Sequence, residues 1–203
     1  MKRKNTVKLA ITAVFLAILI LQTFVPNIGY IRILPALPAI TTVPLTVAIY
    51  SSLLGPSYGI VFGLIWGLTR LIVAYTQPGD MVSLLLFRNP IIALVPSIFA
   101  GFLPSLLTNY FTQKNLEIKS WVYSLNGGIA SITNTLLVII LASLFFMKNP
   151  NELISHIGNF TAGMPLFLVL LTSLGINGLI EAIFTAVVTP VIVSPLHYIM
   201  ERA

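Results

Sequence analysis

The chain has 203 residues, of which 57% are apolar and only 8% are charged. Soluble domains carry about 25% charged residues, so a water-soluble fold is excluded and the surrounding solvent must be lipid. The formal charge of +6 does not indicate nucleic-acid binding, because the basic residues form no surface stripe. The chain contains no cysteine, which excludes disulfides and thiol chemistry. We therefore expect one all-α membrane domain over residues 1–203.

The first apolar segment, residues 9–25, follows a basic start. It is longer than the ~7–15 apolar residues of a signal peptide, so we interpret it as a retained helix. The next charge-free stretch, residues 33–69, exceeds the ~20 residues of one crossing, and Gly55-Pro56-Ser57 divides it. The second helix is therefore predicted at 40–54 and the third at 58–75.

Three further spans are predicted after the turn at residues 77–80. Helix four is predicted at 84–112, where neighbouring helices can accommodate its prolines. Helix five is predicted at 121–147. The last apolar segment, 166–199, would be about 51 Å long as one helix, against a hydrocarbon core of about 30 Å. We therefore predict a break at Gly175, with the sixth span after it.

The basic residues predict the orientation of these six spans. With the N-terminus inside, two basic residues, Arg32 and Lys148, fall on outer loops. The remaining loop and terminal basic residues fall on the inner side: Lys2, Arg3, Lys4, Lys8, Lys114, Lys119 and Arg202. This asymmetry predicts six transmembrane helices with both termini in the cytoplasm.

Ionisable groups inside a membrane are costly, so each one is a functional candidate. The predicted helices contain Arg70, Arg88 and Glu181, and two cations with one anion leave an excess charge of +1. An anionic ligand suits this excess, because a guanidinium binds a carboxylate through two hydrogen bonds. The structural alternative is that an arginine reaches the lipid headgroups or pairs with Glu181.

Two predicted helices carry polar residues at helical spacing, which places them on one face of each helix. On helix six these residues are Asn177, Glu181, Thr185 and Thr189. On helix five they are Ser131, Asn134 and Thr135. A single asparagine can simply bond a neighbouring helix, but two such stripes favour a polar cavity.

Small residues at a spacing of four occur on two predicted helices, and such spacing allows close helix approach. They are Ala13 and Ala17 on helix one, preceded by Ala10, and Gly59, Gly63 and Gly67 on helix three. Packing within the chain and docking onto a partner membrane subunit both fit this pattern. Trp66 lies one turn before Arg70 and fits either a wall of the same cavity or plain packing.

Motifs of catalysis and nucleotide binding are missing from the sequence. There is no GxxxxGK[ST] for a nucleotide, no HExxH for a metal and no GxSxG for a nucleophile. His156 and His197 are far apart in the sequence, which disfavours a metal site. We expect neither an enzyme nor a cofactor, so concentrative transport needs an energy source in another protein.

The chain resembles the substrate-binding S components of energy-coupling factor (ECF) transporters, which are six-helix vitamin-binding membrane proteins. The resemblance covers nearly the whole chain. It rests on the basic start with its alanines, Leu54-Gly55-Pro56-Ser57-Tyr58-Gly59, Ser131-Ile132-Thr133-Asn134-Thr135, Asn177-Gly178-Leu179-Ile180-Glu181-Ala182 and Thr189-Pro190. The segments Leu21-Gln22-Thr23-Phe24-Val25-Pro26 and Gly29-Tyr30 look most like those of pantothenate-specific members.

The resemblance implies a high-affinity vitamin binder, open to the outside, in the plasma membrane of a prokaryote. It implies partnership with a coupling membrane subunit and two cytoplasmic ATPases, and release of the vitamin after the protein topples in the bilayer. It also implies that Asn134, Asn177 and Glu181 line the site. Many relatives have arginine after the proline equivalent to Pro96; this chain has Ser97, and Arg88 is the candidate replacement.

Composition, motifs and resemblance together predict a pantothenate-binding S component. The substrate-binding candidates are Arg70, Arg88, Asn89, Ser131, Asn134, Asn177 and Glu181. The partner-docking candidates are Ala10, Ala13 and Ala17. The alternatives are an S component for a pyridoxine- or thiamine-related vitamin, with Glu181 as the anchor of a cation, and a stand-alone carrier or channel. An intramembrane enzyme is disfavoured.

Overall fold

The structure is a computed structural model that describes residues 2–25, 28–31, 40–77, 81–114, 117–157 and 164–202. Arg32, predicted on an outer loop, lies outside these residues. The elements in chain order are α1 (Lys2–Phe24), β1 (Tyr30–Ile31), β2 (Ile40–Thr41), α2 (Val43–Leu54), α3 (Pro56–Thr76), α4 (Met81–Phe87), α5 (Pro90–Gln113), α6 (Ser120–Phe145), α7 (Pro150–Ile157) and α8 (Leu166–Arg202). The all-α architecture is confirmed, with one antiparallel pair of two-residue strands.

Five of the described helices, α1, α3, α5, α6 and α8, are long and apolar enough to cross a membrane. Helix α2 has 12 residues, which corresponds to about 18 Å and is shorter than the hydrocarbon core of about 30 Å. The count of six crossings therefore stays a prediction, and so does the position of the two termini.

Helix α2 lies at the centre of the bundle and contacts α1, α3, α5, α6 and α8. Ten of its residues, from Val43 to Ser52, are buried. Gly55 ends the helix with φ 93°, a conformation that favours glycine, and Pro56 starts α3, where a missing N–H costs nothing. The predicted boundary at Gly55-Pro56-Ser57 is thus confirmed.

Helices α3 and α5 pack in close contact along the glycines of α3. A side chain on Gly59 would overlap the carbonyl of Gly101, and one on Gly63 would overlap the carbonyl of Ser97. The small-residue pattern of α3 therefore serves packing within the chain. This close approach also places the α5 residue Ser97 beside the later turns of α3.

The predicted fourth helix is wrong, because the chain forms two helices there. The interruption falls at Arg88 and Asn89, where Asn89 adopts an extended conformation and caps α5. Proline disfavours helical geometry in the residue before it, and here Pro90 starts α5 instead of continuing α4, although Pro96 and Pro104 lie inside α5. Arg88 consequently lies between α4 and α5 rather than inside a helix.

The predicted break at Gly175 is also wrong. Helix α8 continues from Leu166 to Arg202 over 37 residues, which corresponds to about 55 Å. A glycine weakens a helix by only about 1 kcal/mol. Because lipid offers the backbone no hydrogen-bond partner, an unbroken helix has a lower free energy than an interrupted one.

Candidate functional site

Arg70 brings a guanidinium to the interior of the bundle. Its Nη1 donates hydrogen bonds to Asn134 Oδ1 on α6, at 2.9 Å, and to Ser97 Oγ on α5, at 3.4 Å. The close packing of α3 on α5 makes the second contact possible. Ser97 is fully buried and Asn134 is 5% exposed, so both partners are held in a dry environment. Arg70 therefore lies beside Ser97, where the resemblance predicted an arginine and the sequence reasoning proposed Arg88.

Two aromatic rings also contact the Arg70 guanidinium. Its central carbon lies 4.1 Å from the ring centroid of Trp66 and 4.5 Å from that of Phe87. Such contacts attract a cation by about 0.5–2 kcal/mol each. Trp66 is one turn earlier on α3, as the sequence predicted, whereas Phe87 comes from α4. These rings limit the rotamers of Arg70 and so fix the direction of its donors.

Glu181 supplies a carboxylate on α8, and only 4% of its surface is exposed. The hydroxyl of Thr41, on β2, donates a hydrogen bond to Glu181 Oε1. Glu181 is also close enough to Arg70 for an electrostatic interaction between them. We call the group formed by Thr41, Arg70, Ser97, Asn134 and Glu181 the site cluster.

Other polar residues of the two predicted stripes lie between α6 and α8. Thr185 donates a hydrogen bond to the carbonyl of Gly127 at 2.9 Å, and Thr189 bonds to the carbonyl of Thr185 at 2.6 Å. The Thr185 bond joins α8 to α6, whereas the Thr189 bond lies within α8. Asn177 is half-buried one turn before Glu181. Ser131 is fully buried on α6, and its hydroxyl has no hydrogen-bond partner within the described residues.

Arg88 and Asn89 lie apart from the site cluster. Arg88 is exposed, its Nε donates to the carbonyl of Ala74 at 3.4 Å, and its guanidinium carbon lies 5.4 Å from the ring centroid of Tyr75. The side chain of Asn89 accepts a hydrogen bond from the backbone N–H of Ile91 at 3.0 Å. Asn89 therefore caps the start of α5, whereas Arg88 connects the junction of α4 and α5 to the end of α3.

The site cluster combines a donor end with an acceptor end. Arg70 offers fixed N–H donors with a positive charge, and Glu181 offers a carboxylate that can accept several hydrogen bonds. The charges of Arg70 and Glu181 sum to zero, because Arg88 is not part of the site cluster. This arrangement suits a ligand that carries an anionic acceptor at one end and hydroxyl or amide donors at the other. Within the described ranges no group of three His, Asp or Glu residues could hold a metal ion.

A cavity of about 520 Å³ lies elsewhere, between the end of α6, α7 and the start of α8. Its lining is mostly apolar and includes Leu144, Met147 and Phe167, with Ser143 as a polar exception. None of the predicted site residues lines it. The chemistry of this cavity matches a lipid-facing groove, so the candidate site is assigned from the site cluster.

No sequence pattern indicates a site role for Thr41 or Phe87, and Ser97 stands out only as a departure from the family pattern. Thr41 lies in a charge-free stretch with no periodicity, and it meets Glu181 across 140 positions of sequence. Phe87 is one of many apolar residues ahead of a proline. Of these residues, only Ser97 could be noticed in the sequence, because it is a serine at a position where many relatives have arginine.

The sequence is similar to known transport proteins over most of its length. A family model for the substrate-specific component of ECF transporters matches residues 7–193. A curated protein named pantothenate transporter PanT, from Leuconostoc mesenteroides subsp. mesenteroides, is 36% identical over 151 residues, which cover 72% of this chain and 72% of the relative. The chain is thus a multi-pass membrane protein that belongs to the family of substrate-specific components of ECF transporters.

Proposed function

We propose that this S component captures pantothenate at the site cluster. The observation that carries the proposal is the guanidinium of Arg70, which Asn134, Trp66 and Phe87 hold in a fixed direction inside the bundle. The name of the similar Leuconostoc protein supports the same vitamin. Arg70 is the carboxylate anchor in this proposal, and Arg88 connects the junction of α4 and α5 to the end of α3.

Pantothenate matches the two ends of the site cluster. It has one carboxylate, which Arg70 can bind, and two hydroxyls, which can donate to Glu181. Its central amide can bond to Asn134 or to Asn177. Ser131, one turn before Asn134 on α6, offers an additional hydroxyl. A cationic vitamin related to thiamine would have to bind beside Arg70, and the repulsion between like charges disfavours it.

Calorimetry on purified protein tests the role of Arg70. We expect Arg70→Ala to weaken pantothenate binding at least ~30-fold, because losing one side of a buried charged hydrogen bond costs about 2–5 kcal/mol. Arg70→Lys should recover only part of this loss, since lysine cannot form the bidentate contact. Arg88→Ala is the matched control, and its affinity should stay within about threefold of wild type.

An analogue in which an amide replaces the carboxylate completes the test. It should bind wild-type protein poorly and lose little further affinity in Arg70→Ala, which gives a double-mutant cycle for the arginine and the carboxylate. A coupling energy near zero for Arg70 contradicts the proposed anchor. In that case a thiamine- or pyridoxine-related vitamin bound through Glu181 becomes the better candidate.

We further propose that the protein works in the plasma membrane of a prokaryote as a single six-helix domain, with both termini in the cytoplasm. A coupling membrane subunit and two cytoplasmic ATPases would supply the energy, because the chain has no nucleotide-binding motif. Single-cysteine labelling tests this topology cleanly in a chain without native cysteine. Gln113→Cys should react only from the cytoplasm, and Gln77→Cys only from outside.

The proposed contact with the coupling subunit is the alanine face of α1. Ala10, Ala13 and Ala17 are exposed, and among the described residues of α1 only Phe15 and Leu19 are buried. Ala13→Trp should abolish vitamin uptake by the complete transporter while the isolated protein still binds pantothenate. Leu136→Trp, at an exposed position of α6, is the control and should leave uptake intact. Loss of binding in Ala13→Trp would contradict the docking role.

A further inference from the structure

The N-terminal part of α2 and Thr42, the residue between β2 and α2, are tied to α1 through the side chain of Gln22. Its Nε2 donates to Thr42 Oγ1 at 2.8 Å, and its Oε1 accepts from Thr46 Oγ1 at 2.9 Å. Both ends of the amide are therefore engaged. Gln22 is half-buried, and it connects a helix that has few buried residues to the best-buried helix of the bundle.

The chain segment just before β1 is packed against the same glutamine. The backbone N–H of Thr42 donates to the carbonyl of Gly29 at 2.9 Å. Gly29 is buried, and a side chain at this position would overlap the carbonyl of Gln22. Gln22 thus contacts both partners of this hydrogen bond, which fixes the backbone at Thr42 from two sides.

Thr41 directly precedes this fixed point and reaches the site cluster. Strand β2 packs on α8, and the Thr41 hydroxyl donates to Glu181 Oε1. The backbone N–H of Thr41 also interacts with the same carboxylate. One residue thus restrains the direction of the Glu181 side chain. A carboxylate accepts up to about four hydrogen bonds, so capacity remains for donors of a ligand.

We propose that Thr41 is a positioning residue that aims the Glu181 carboxylate at hydroxyl or amide donors of the ligand, and that Gln22 fixes the segment that carries Thr41. This role rests on the proposed binding of pantothenate, and it names the residues that recognise the hydroxyl end of the vitamin. It assigns a ligand-selecting role to a side chain of α1 that the contacts place outside the site cluster. Selection arises because a freely rotating carboxylate would accept a donor from many directions.

Two ligands and a small set of variants test this role by calorimetry. The ligands are pantothenate and its dideoxy analogue, which keeps the carboxylate and lacks both hydroxyls. Thr41→Val should weaken pantothenate binding about tenfold, because the Glu181 carboxylate loses the hydrogen bond that directs it at the hydroxyls of the ligand. The same variant should change the affinity for the analogue by less than about twofold, since the analogue has no hydroxyl for Glu181 to accept. Thr41→Ser keeps the hydroxyl and should retain affinity for pantothenate.

Gln22→Leu should show the same dependence on the ligand with a smaller loss, about three- to fivefold, because Thr41 itself is still present. Thr23→Val is the matched control, since the Thr23 hydroxyl bonds to the Leu19 carbonyl of its own helix. Equal weakening of both ligands, or wild-type affinity in Thr41→Val, overturns the inference alone. If Thr41→Val does not fold, Gln22→Leu decides by the same criterion. Wild-type protein that binds neither ligand overturns the pantothenate proposal and this inference with it.

Discussion

Two buried polar clusters contact the same helix, α6, and they differ in charge. The site cluster includes Asn134 and contains a guanidinium and a carboxylate. The second group, which we call the tie cluster, consists of Asn126 with Ser52 and Thr108. Asn126 Nδ2 donates to Ser52 Oγ at 2.8 Å and to Thr108 Oγ1 at 2.6 Å. All three residues are neutral and buried, and they join α6 to α2 and α5.

The two buried asparagines of α6, Asn126 and Asn134, differ in the charge of their hydrogen-bond partners. Asn126 bonds only to hydroxyls among the described residues, so its bonds hold helices together. Asn134 accepts a hydrogen bond from the guanidinium of Arg70, which is the ligand anchor in our proposal. The two asparagines are eight residues apart, about 12 Å along the helix. The charge of the hydrogen-bond partner is therefore our criterion for separating a proposed binding group from a structural one.

The largest expected effect comes from adding a charge to each asparagine. Asn126→Asp places an anion among hydroxyls with no cation in the tie cluster, so we expect a loss of about 3 kcal/mol or more in stability. Asn134→Asp places its anion beside Arg70 and should fold nearly as well as wild type, although it should repel a carboxylate ligand. Thermal unfolding in detergent measures both variants. Equal losses of stability would remove the distinction between the clusters.

Moving the cation of the site cluster from α3 to α5 should recover part of the pantothenate affinity. Ser97→Arg in an Arg70→Ser background restores a guanidinium beside Asn134, because Ser97 Oγ lies 3.4 Å from Arg70 Nη1. The single Arg70→Ser variant should lose at least ~30-fold in pantothenate affinity, and the double variant should regain about tenfold. Ser97→Arg alone, which brings two cations together, should destabilise the protein. A double variant that folds but stays as weak as Arg70→Ser would contradict the requirement for charge.

The third prediction separates binding from stability by truncating each asparagine. Asn134→Ala should weaken pantothenate binding about tenfold, because Arg70 loses the acceptor that directs it. Asn126→Ala should leave affinity within about twofold and lower stability by about 1–2 kcal/mol, as expected for a hydrogen bond between membrane helices. Calorimetry and thermal unfolding of both variants give four values. If both variants lose affinity to the same extent, the tie cluster also supports the site.

Much of the fold followed from the sequence, because membrane crossings depend on local composition. Uncharged stretches predicted the long helices, and Gly55 with Pro56 predicted the boundary between α2 and α3. The two errors, a break predicted at Gly175 and none predicted before Pro90, show the limits of inferring helix ends from single residues. Helix α5 starts at Pro90 yet continues through Pro96 and Pro104, and α8 continues through Gly175, so neither residue type alone decides where a membrane helix ends.

The candidate site was predicted in its residue types more than in its contacts. Arg70, Asn134 and Glu181 carried a signal because polar groups are rare in the predicted helices. The choice of Arg88 as the replacement cation relied on a helix that the structure divides in two. Thr41 and Phe87 carried no signal, because their contacts depend on how distant segments pack together.

The smallest expected effect concerns Ser131, which lies on α6 between Asn126 and Asn134. Its hydroxyl is fully buried and has no hydrogen-bond partner in the described part of the chain. Removing an unsatisfied buried hydroxyl is nearly neutral or favourable, so Ser131→Ala should change stability by less than about 0.5 kcal/mol. If the hydroxyl contacts the ligand, the same variant should weaken pantothenate binding about threefold. Thr172→Val, which removes a hydroxyl that bonds to its own helix, is the control. A loss of stability with unchanged affinity would assign Ser131 to the tie cluster and place the lower limit of the binding region between Ser131 and Asn134.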